Sequence, residues 1–256
     1  MISLNWLPGT AFVYMLIFAR VGSMLMLIPA LGETTIPARM RLTFALALAL
    51  VLYPLVESLM PPLPANVFEV VALILHEIAI GLMLGIIARL AVSGTQTAGA
   101  VIASQSGLSV AQAADPTNGG AHGALIGAFL SFLGVTLIFA TDLHHVAISA
   151  VYDSYMIFSV RDPLMFGDAA QTVLETVAAA FVVGVQMSAP FIVLGLVFNL
   201  GMGILSRLMP QLQVFFIAMP ATVSVGLILM ALLLTSMMGL YLMHYESVLA
   251  TLRGAA

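Results

Sequence analysis

Long apolar stretches separated by short polar segments run through the whole chain. An α-helix needs ~20 mostly apolar residues to cross ~30 Å of hydrocarbon. Six stretches approach this requirement, at about residues 11–31, 42–56, 67–92, 123–141, 177–200 and 214–243. Each is predicted to be helical, because an open strand would leave its backbone groups unpaired in lipid. The pattern predicts an all-α integral membrane protein, with residues 1–256 in a single membrane-embedded domain.

Several of these segments differ from simple membrane spans. The second is short and contains Pro54, and ionisable side chains occur deep within the first and third, at Arg20, Glu77 and Arg89. An ionised side chain in the middle of a membrane helix costs at least ~2.5–3.5 kcal/mol. We therefore expect the helices to pack mainly against protein, including other subunits. Arg20 should be satisfied by a carboxylate or by helix-end carbonyls.

Composition narrows the possible chemistry. Hydrophobic residues make up 62% of the chain and charged residues 7%, against about 45–50% and about 25% in soluble domains. The chain contains no Cys and no Lys, which excludes thiol nucleophiles, Cys-based metal sites, P-loop nucleotide sites and Schiff-base enzymes. A net charge of −4 without a basic run argues against nucleic-acid binding. We predict no cofactor, no metal and no catalytic residue.

Two connecting regions are distinctive. Residues 93–123 contain six Gly and many small polar residues, and Asp115 is their only charged residue. A connector of this length without structure of its own is usually functional. Residues 142–176 carry five acidic residues against Arg161 and are predicted to form an acidic connector.

Ionisable residues in and near the apolar segments are candidate sites. His76-Glu77 resembles part of a zinc-protease signature, but that signature needs a second His where this chain has Ile80. Glu77 and Arg89 would lie roughly 18 Å apart along a straight helix. Each is expected to pair with another segment or subunit, and a proton or ion pathway is the alternative.

A second cluster and a small-residue pattern have structural interpretations. Asp142, His144 and His145 form the densest titratable cluster, which offers too few ligands for a predicted metal site. Small residues recur every four positions at Gly119, Gly123, Gly127 and Ser131. This spacing places them on one helix face and predicts close helix packing.

Four blocks of residues occur in a characteristic order between about residues 14 and 240. They are Phe18-Ala19-Arg20 with Pro29, Gly32, Pro37, Arg41 and Pro54; Ser104-Gln105-Ser106-Gly107-Leu108-Ser109 with Asp115-Pro116; His144 with Asp153-Ser154-Tyr155; and Arg207 with Pro210-Gln211-Leu212-Gln213-Val214-Phe215 and Pro220. Together they resemble the FliR family of flagellar export proteins and its virulence-type III secretion counterparts. Leu143 and Gln213 depart from the family, which often has Gly and Asn there.

The resemblance implies a non-enzymatic, structural role in the flagellar type III export gate. Family members lie in the bacterial inner membrane at the flagellar basal body. One copy joins several copies of two small hydrophobic partners, of the FliP and FliQ type, in a helical pore-forming assembly that passes unfolded flagellar proteins. Their helices form hairpins within that assembly.

The resemblance also implies roles for individual residues. The family loop between the third and fourth apolar segments contributes to a plug of the closed pore, and here it would include Gln105, Ser106, Gly107 and Leu108. The candidates for buried charge and assembly are Arg20, Glu77, Arg89 and Arg207.

Three other functions stay open on sequence alone. The chain could serve a virulence-type secretion system instead of a flagellum. A stand-alone secondary transporter would use Glu77 and Arg20 as coupling residues, although no internal repeat supports it. An intramembrane enzyme has no nucleophile–base or metal pattern in its favour.

Overall fold

The structure is a computed structural model that describes residues 7–29, 31–32, 36–107, 123–160, 166–209 and 214–252. Every regular element in these ranges is a helix. The α-helices are α1 (Leu7–Leu25), α2 (Ala38–Val56), α3 (Val67–Gln105), α4 (Gly123–Ala140), α5 (Leu143–Ile157), α6 (Phe166–Leu208) and α7 (Val214–Leu252), and a 3₁₀ turn at Glu57–Leu59 follows α2.

Five of these helices are long and apolar enough to cross a membrane, namely α1, α2 with its 3₁₀ turn, α3, α6 and α7. The consecutive helices α4 and α5 become a sixth candidate span if they are counted as one, although they meet at a bend of 77°. Large apolar side chains are widely exposed, including Leu50 at 65%, Phe132 at 76% and Leu232 at 74%. The prediction of an all-α integral membrane protein is confirmed.

The predicted limits of several apolar segments were wrong. The first helix ends at Leu25 instead of residue 31, and the second is not short, because it begins at Ala38 and its span reaches Leu59. The fifth segment extends to Phe166–Leu208 and the last to Leu252. Hydropathy alone underestimated the second, fifth and last helices because their ends carry polar residues, and it overestimated the C-terminal end of the first, where the apolar residues continue beyond the helix.

The region 93–123 is not a loop throughout, since α3 continues to Gln105. Its hydroxyl side chains donate to carbonyls one turn earlier in the same helix: Thr95 to Val92 at 2.8 Å and Ser104 to Val101 at 2.7 Å. Such bonds satisfy polar side chains inside a helix. Small polar residues therefore lie on a regular helix where their composition indicated a connector.

The acidic connector predicted at 142–176 also contains regular structure. Helix α5 occupies Leu143–Ile157, and α6 begins at Phe166. Asp142 joins α4 to α5 in a left-handed conformation with φ of 60°. Asp tolerates this conformation better than most residues, which allows the sharp corner between the two helices.

The chain divides into two compact units. Unit 1 comprises Met1–Ala91, Phe139–Val177 and Tyr245–Ala256, and unit 2 comprises Val92–Ile138 and Ala178–His244. The prediction that the whole chain acts as one membrane-embedded domain stays a prediction.

Unit 1 is built around α1. The hydroxyl of Tyr14 on α1 donates to the carbonyl of Leu46 on α2 at 2.9 Å. Leu16, Ile17 and Met24 of α1 are completely buried. Burial of an apolar stripe on α1 fixes its orientation and directs Arg20, which lies on the same side of the helix, towards the interior.

In unit 2 the second half of α3 packs closely against its neighbours. A Cβ added to Gly94 would lie 2.8 Å from the carbonyl oxygen of Ala180 on α6. A Cβ added to Gly99 would overlap the backbone of Gly127 on α4. Only glycine allows backbones to approach this closely, so these positions set the helix spacing within the unit.

Candidate functional site

The centre of unit 1 holds a buried ion pair between α1 and α3. Arg20 Nε lies 2.7 Å from Oε2 of Glu77, and Nη2 lies 2.8 Å from Oε1. Both side chains have 0% exposure. Paired N–H···O bonds of this kind fix the geometry as well as the charge balance. The sequence predicted a partner segment for Glu77, and that partner is Arg20.

Helix α5 completes the coordination of the guanidinium. Nη1 of Arg20 donates to the carbonyl and the hydroxyl oxygen of Ser154, at 3.0 and 3.2 Å, and Nη2 donates to the carbonyl of Phe158 at 3.0 Å. These carbonyls lie at the C-terminal end of α5, where the helix dipole favours a cation. With the two bonds to Glu77, all five N–H groups of a guanidinium have acceptors.

An aromatic ring closes this site. The guanidinium carbon of Arg20 lies 4.0 Å from the centre of the Tyr155 ring, a cation–π contact. The hydroxyl of Tyr155 makes no hydrogen bond to any described residue. The arrangement links three helices through one charge centre.

A glycine on α3 allows this pairing. Gly81 follows Glu77 by one helical turn, and a Cβ there would collide with the backbone carbonyl of Arg20 and the hydroxyl of Ser23. The two helices therefore approach to backbone contact directly beside the ion pair. Sequence reasoning identified Arg20 and Glu77 and expected a carboxylate or helix-end carbonyls around Arg20. It did not identify which helix end supplies the carbonyls, and it missed Tyr155. The only signal for Tyr155 in the sequence was that it follows Ser154 in the Asp153-Ser154-Tyr155 block, one of the blocks that carry the family resemblance.

The other two charged candidates have different surroundings. Arg89 and Arg207 are both exposed and form no ion pair with a described residue. Arg89 is not among the residues that bond to Arg20 or Glu77, and Arg207 belongs to unit 2. A role for either in binding another subunit stays a prediction.

A second candidate site lies in unit 2, at the end of α3. Gln105 is the last residue of the helix and Ser106 is 2% exposed. The Ser106 hydroxyl donates to the carbonyl of Ile102 at 2.7 Å. Gly107 then adopts φ of +72°, the left-handed conformation with which glycine commonly ends a helix. Leu108, the fourth predicted residue of this segment, lies outside the described residues.

Two glycines hold this helix end. The side-chain amide of Gln105 lies against Gly195 of α6, where a Cβ would overlap its Oε1. A Cβ on Gly226 of α7 would lie 2.6 Å from Cβ of Ser106. A cleft of about 120 Å³ adjoins the helix end, and polar side chains contribute to its lining, including Ser104, Gln105, Asn199 and Thr222.

The small residues of α4 face α3 near Thr95 and Gln96, about ten residues before its end. A Cβ added to Gly127 would lie 3.4 Å from Cα of Gln96. The hydroxyls of Ser131 and Thr95 lie 2.8 Å apart and share a hydrogen bond. Gly123 begins α4, and Gly119 lies outside the described residues.

The cluster Asp142, His144 and His145 forms a corner in which Asp142 and His145 are exposed and His144 is half-buried. One ring nitrogen from each His and one carboxylate oxygen of Asp142, the atoms that could bind a metal ion, lie within 4.8 Å of one another. The centres of the two His rings are 4.1 Å apart. The side chains of His145 and Asp142 are 70% and 78% exposed. We assign this corner to the connection between α4 and α5.

Long apolar helices, a buried ion pair between α1 and α3 and glycine-mediated backbone contacts define a helical integral membrane protein. Residues 11–248 match the family described as "Bacterial export proteins, family 1", and the chain belongs to this family. The resemblance noted in the sequence blocks is therefore confirmed.

Individual relatives narrow the class further. The chain is 44% identical to the flagellar biosynthetic protein FliR of Caulobacter vibrioides, over 93% of this chain and 94% of the relative. It is 31% identical to FliR of Bacillus subtilis, over 85% and 84% of the two chains. It is also 23% identical to the Yop proteins translocation protein T of Yersinia pestis, over 88% and 87%.

Proposed function

We propose that this chain is a structural, pore-forming subunit of the flagellar type III export gate, which passes unfolded flagellar proteins across the bacterial inner membrane at the basal body. Membership in an export-protein family and 44% identity to a flagellar biosynthetic protein support the flagellar system over the virulence alternative.

The observation that carries the pore-forming role is the seating of the α3 end in unit 2. Gln105 and Ser106 are uncharged and are held against glycines of two other helices, at Gly195 and Gly226. A segment held in this way is positioned by the scaffold, whereas a free connector is not. Uncharged residues at a constriction can block ions without the large desolvation cost of a buried charge. In the proposal, residues Gln105 to Leu108 contribute to the plug of the closed pore.

The proposal includes assembly with other membrane proteins of the export apparatus, namely small hydrophobic subunits of the FliP and FliQ type. Arg89 supports this, because it is exposed within a helix that is apolar enough to span a membrane. Contact with lipid would be costly for its charge, so an acceptor on a neighbouring subunit is expected.

Copurification tests the assembly. A tagged chain extracted in mild detergent should carry several copies of small hydrophobic membrane proteins in a stable complex. Its yield without those partners should be low, because the interfaces they cover would be unsatisfied. A long-lived monodisperse monomer that binds a small-molecule ligand would contradict the proposal and favour the transporter.

The structure gives little support to the alternative hypothesis of a stand-alone secondary transporter. A coupling residue must exchange its proton or ion with an aqueous path, and both Arg20 and Glu77 have 0% exposure. Their five hydrogen bonds and the aromatic ring over the guanidinium favour a permanent link between helices.

A further inference from the structure

The start of α2 combines features that suit an amphipathic ligand. Arg39 and Arg41 lie in the first turns of this helix, which has no acidic residue in its first turn and no side-chain cap at Pro37. The N-terminus of a helix carries a partial positive charge, so cations there are unfavourable unless an anion is bound nearby. This end of α2 therefore concentrates positive charge without an internal counterion on the helix itself.

Arg41 is only partly satisfied. Its Nη1 donates to the carbonyl of Gly32 at a long 3.4 Å, and its Nε is buried without a hydrogen-bond partner among the described residues. An unpaired buried N–H of a guanidinium costs free energy. A bound anion that accepted from Arg41 would remove this cost.

An apolar cleft is lined in part by Arg41. It measures about 200 Å³, and its lining, apart from Arg41, is apolar: Leu25, Leu31, Ile36, Met40 and Phe44. Leu25 at its floor is 3% exposed, while Met40 and Phe44 at its rim are 62% and 42% exposed. The cleft is thus open, and it matches a hydrocarbon chain better than a polar ligand.

The position along the helix is also suitable. Residues Ala38–Leu59 form one of the candidate membrane spans, so the arginines lie at the end of a span, where lipid headgroups are found. An anionic phosphate next to cations, with apolar surface on the membrane side, is the arrangement of a bound phospholipid.

We propose that this site, formed by Arg39, Arg41 and the apolar cleft between the end of α1 and the start of α2, binds one anionic phospholipid. The lipid phosphate accepts from the guanidinium of Arg41 and interacts with the positive end of α2. One acyl chain enters the cleft over Leu25 and covers the exposed faces of Met40 and Phe44. The proposal does not depend on the pore-forming role.

The test uses the full chain, purified in mild detergent with the subunits that accompany it. The sample is mixed with equal amounts of phosphatidylglycerol and phosphatidylcholine of identical acyl chains, and native mass spectrometry counts the retained lipids. We expect phosphatidylglycerol to be retained in preference to phosphatidylcholine, and we expect excess inorganic phosphate not to release it. Equal retention of the two lipids, or release by phosphate alone, would overturn the proposal.

Two variants separate the headgroup from the cleft. Arg41→Met should lower phosphatidylglycerol retention about fivefold, the factor expected when one cation near an anionic headgroup is lost. Ile36→Trp should fill the cleft and lower retention with every charge kept. The matched control is Arg207→Met, which removes an exposed arginine from the last turn of α6 and should leave retention unchanged.

If Arg41→Met retains phosphatidylglycerol as the unchanged chain does, the site is elsewhere and the proposal is wrong. If Arg41→Met destroys the complex while the unchanged complex holds both lipids equally, the arginine binds an acidic group of protein instead. Should the variant fail to fold, the lipid preference of the unchanged chain and the Ile36→Trp result decide the question.

Discussion

Arg20 on α1 and Glu77 on α3 form a fully buried, two-bond ion pair, with N···O distances of 2.7 and 2.8 Å. The carbonyls of Ser154 and Phe158 bring the end of α5 to the same guanidinium. Three helices that are distant in sequence therefore share one charge centre within unit 1. A buried pair of this kind specifies which helices meet, while its net contribution to stability can be small.

The first prediction concerns this pair. Arg20→Leu leaves the Glu77 carboxylate buried and unpaired, which should destabilise the protein by ~3–5 kcal/mol. The yield of assembled complex should fall sharply, as measured by blue native electrophoresis of membrane extracts.

The double variant Arg20→Leu with Glu77→Leu tests the physical reason. It removes both charges together, so it should recover a large part of the yield that either single variant loses. Normal assembly and secretion in Arg20→Leu alone would show that the pair is dispensable.

The sequence was sufficient to predict that Arg20 needed an acceptor, but not which one. The free-energy cost of placing a charge in lipid identified Arg20, because an arginine within an apolar helix must be neutralised. The choice of Glu77 depends on how α1 packs beside Gly81, and the Tyr155 ring depends on where α5 ends. Both are tertiary relationships, which hydropathy and spacing within one segment do not contain.

The end of α3 shows a second feature that could not be predicted from the sequence. The composition of residues 93–105, rich in small polar residues, indicated a connector, although hydroxyls such as that of Thr95 bond to the carbonyls of their own helix. The functional importance of Gln105 and Ser106 came only from the family resemblance. Their seating against Gly195 and Gly226 was not predicted, since those glycines are 90 or more positions away in the sequence.

The second prediction concerns the contact between α1 and α3. A Cβ on Gly85 would lie 2.7 Å from Cβ of Leu27 and 2.9 Å from the carbonyl of Met24. Gly85→Ala should therefore cost ~1–3 kcal/mol through overpacking. Gly9→Ala on α1 adds the same atom where nothing lies within 4 Å. The control should match or exceed the unchanged protein in detergent melting temperature, and a similar melting temperature for Gly85→Ala would disprove the close contact.

The third prediction concerns the hydroxyl pair between α3 and α4. Thr95→Val removes the hydrogen bond to Ser131, and bonds of this kind in membrane proteins contribute ~0.6 kcal/mol on average and at most ~1.7. We expect a small loss of stability in chemical denaturation. Thr136→Val is the control, because the exposed Thr136 hydroxyl bonds only to the Phe132 carbonyl of its own helix among the described contacts. An equal loss in both variants would count against an interhelical contribution.

The fourth prediction concerns the contact between the end of α3, at Ser106, and Gly226 of α7. Gly226→Val places a branched side chain where a single Cβ already lies 2.6 Å from Ser106. The helix end should be displaced, and the membrane should become leaky to ions while the complex still forms. Gly239→Val, on the same helix with nothing within 4 Å, should leave leakage at background. If Gly226→Val leaked no more than Gly239→Val, the contact between Gly226 and Ser106 would not contribute to the barrier against ions.

The most direct test of the pore-forming claim is ion leakage through a complex that lacks residues 105–108. The account predicts that this deletion raises conductance in a planar bilayer, and electrolyte sensitivity in cells, well above the unchanged complex, while native electrophoresis still detects the assembled complex. Background leakage from an intact complex with the deletion would contradict the claim that these residues close a pore.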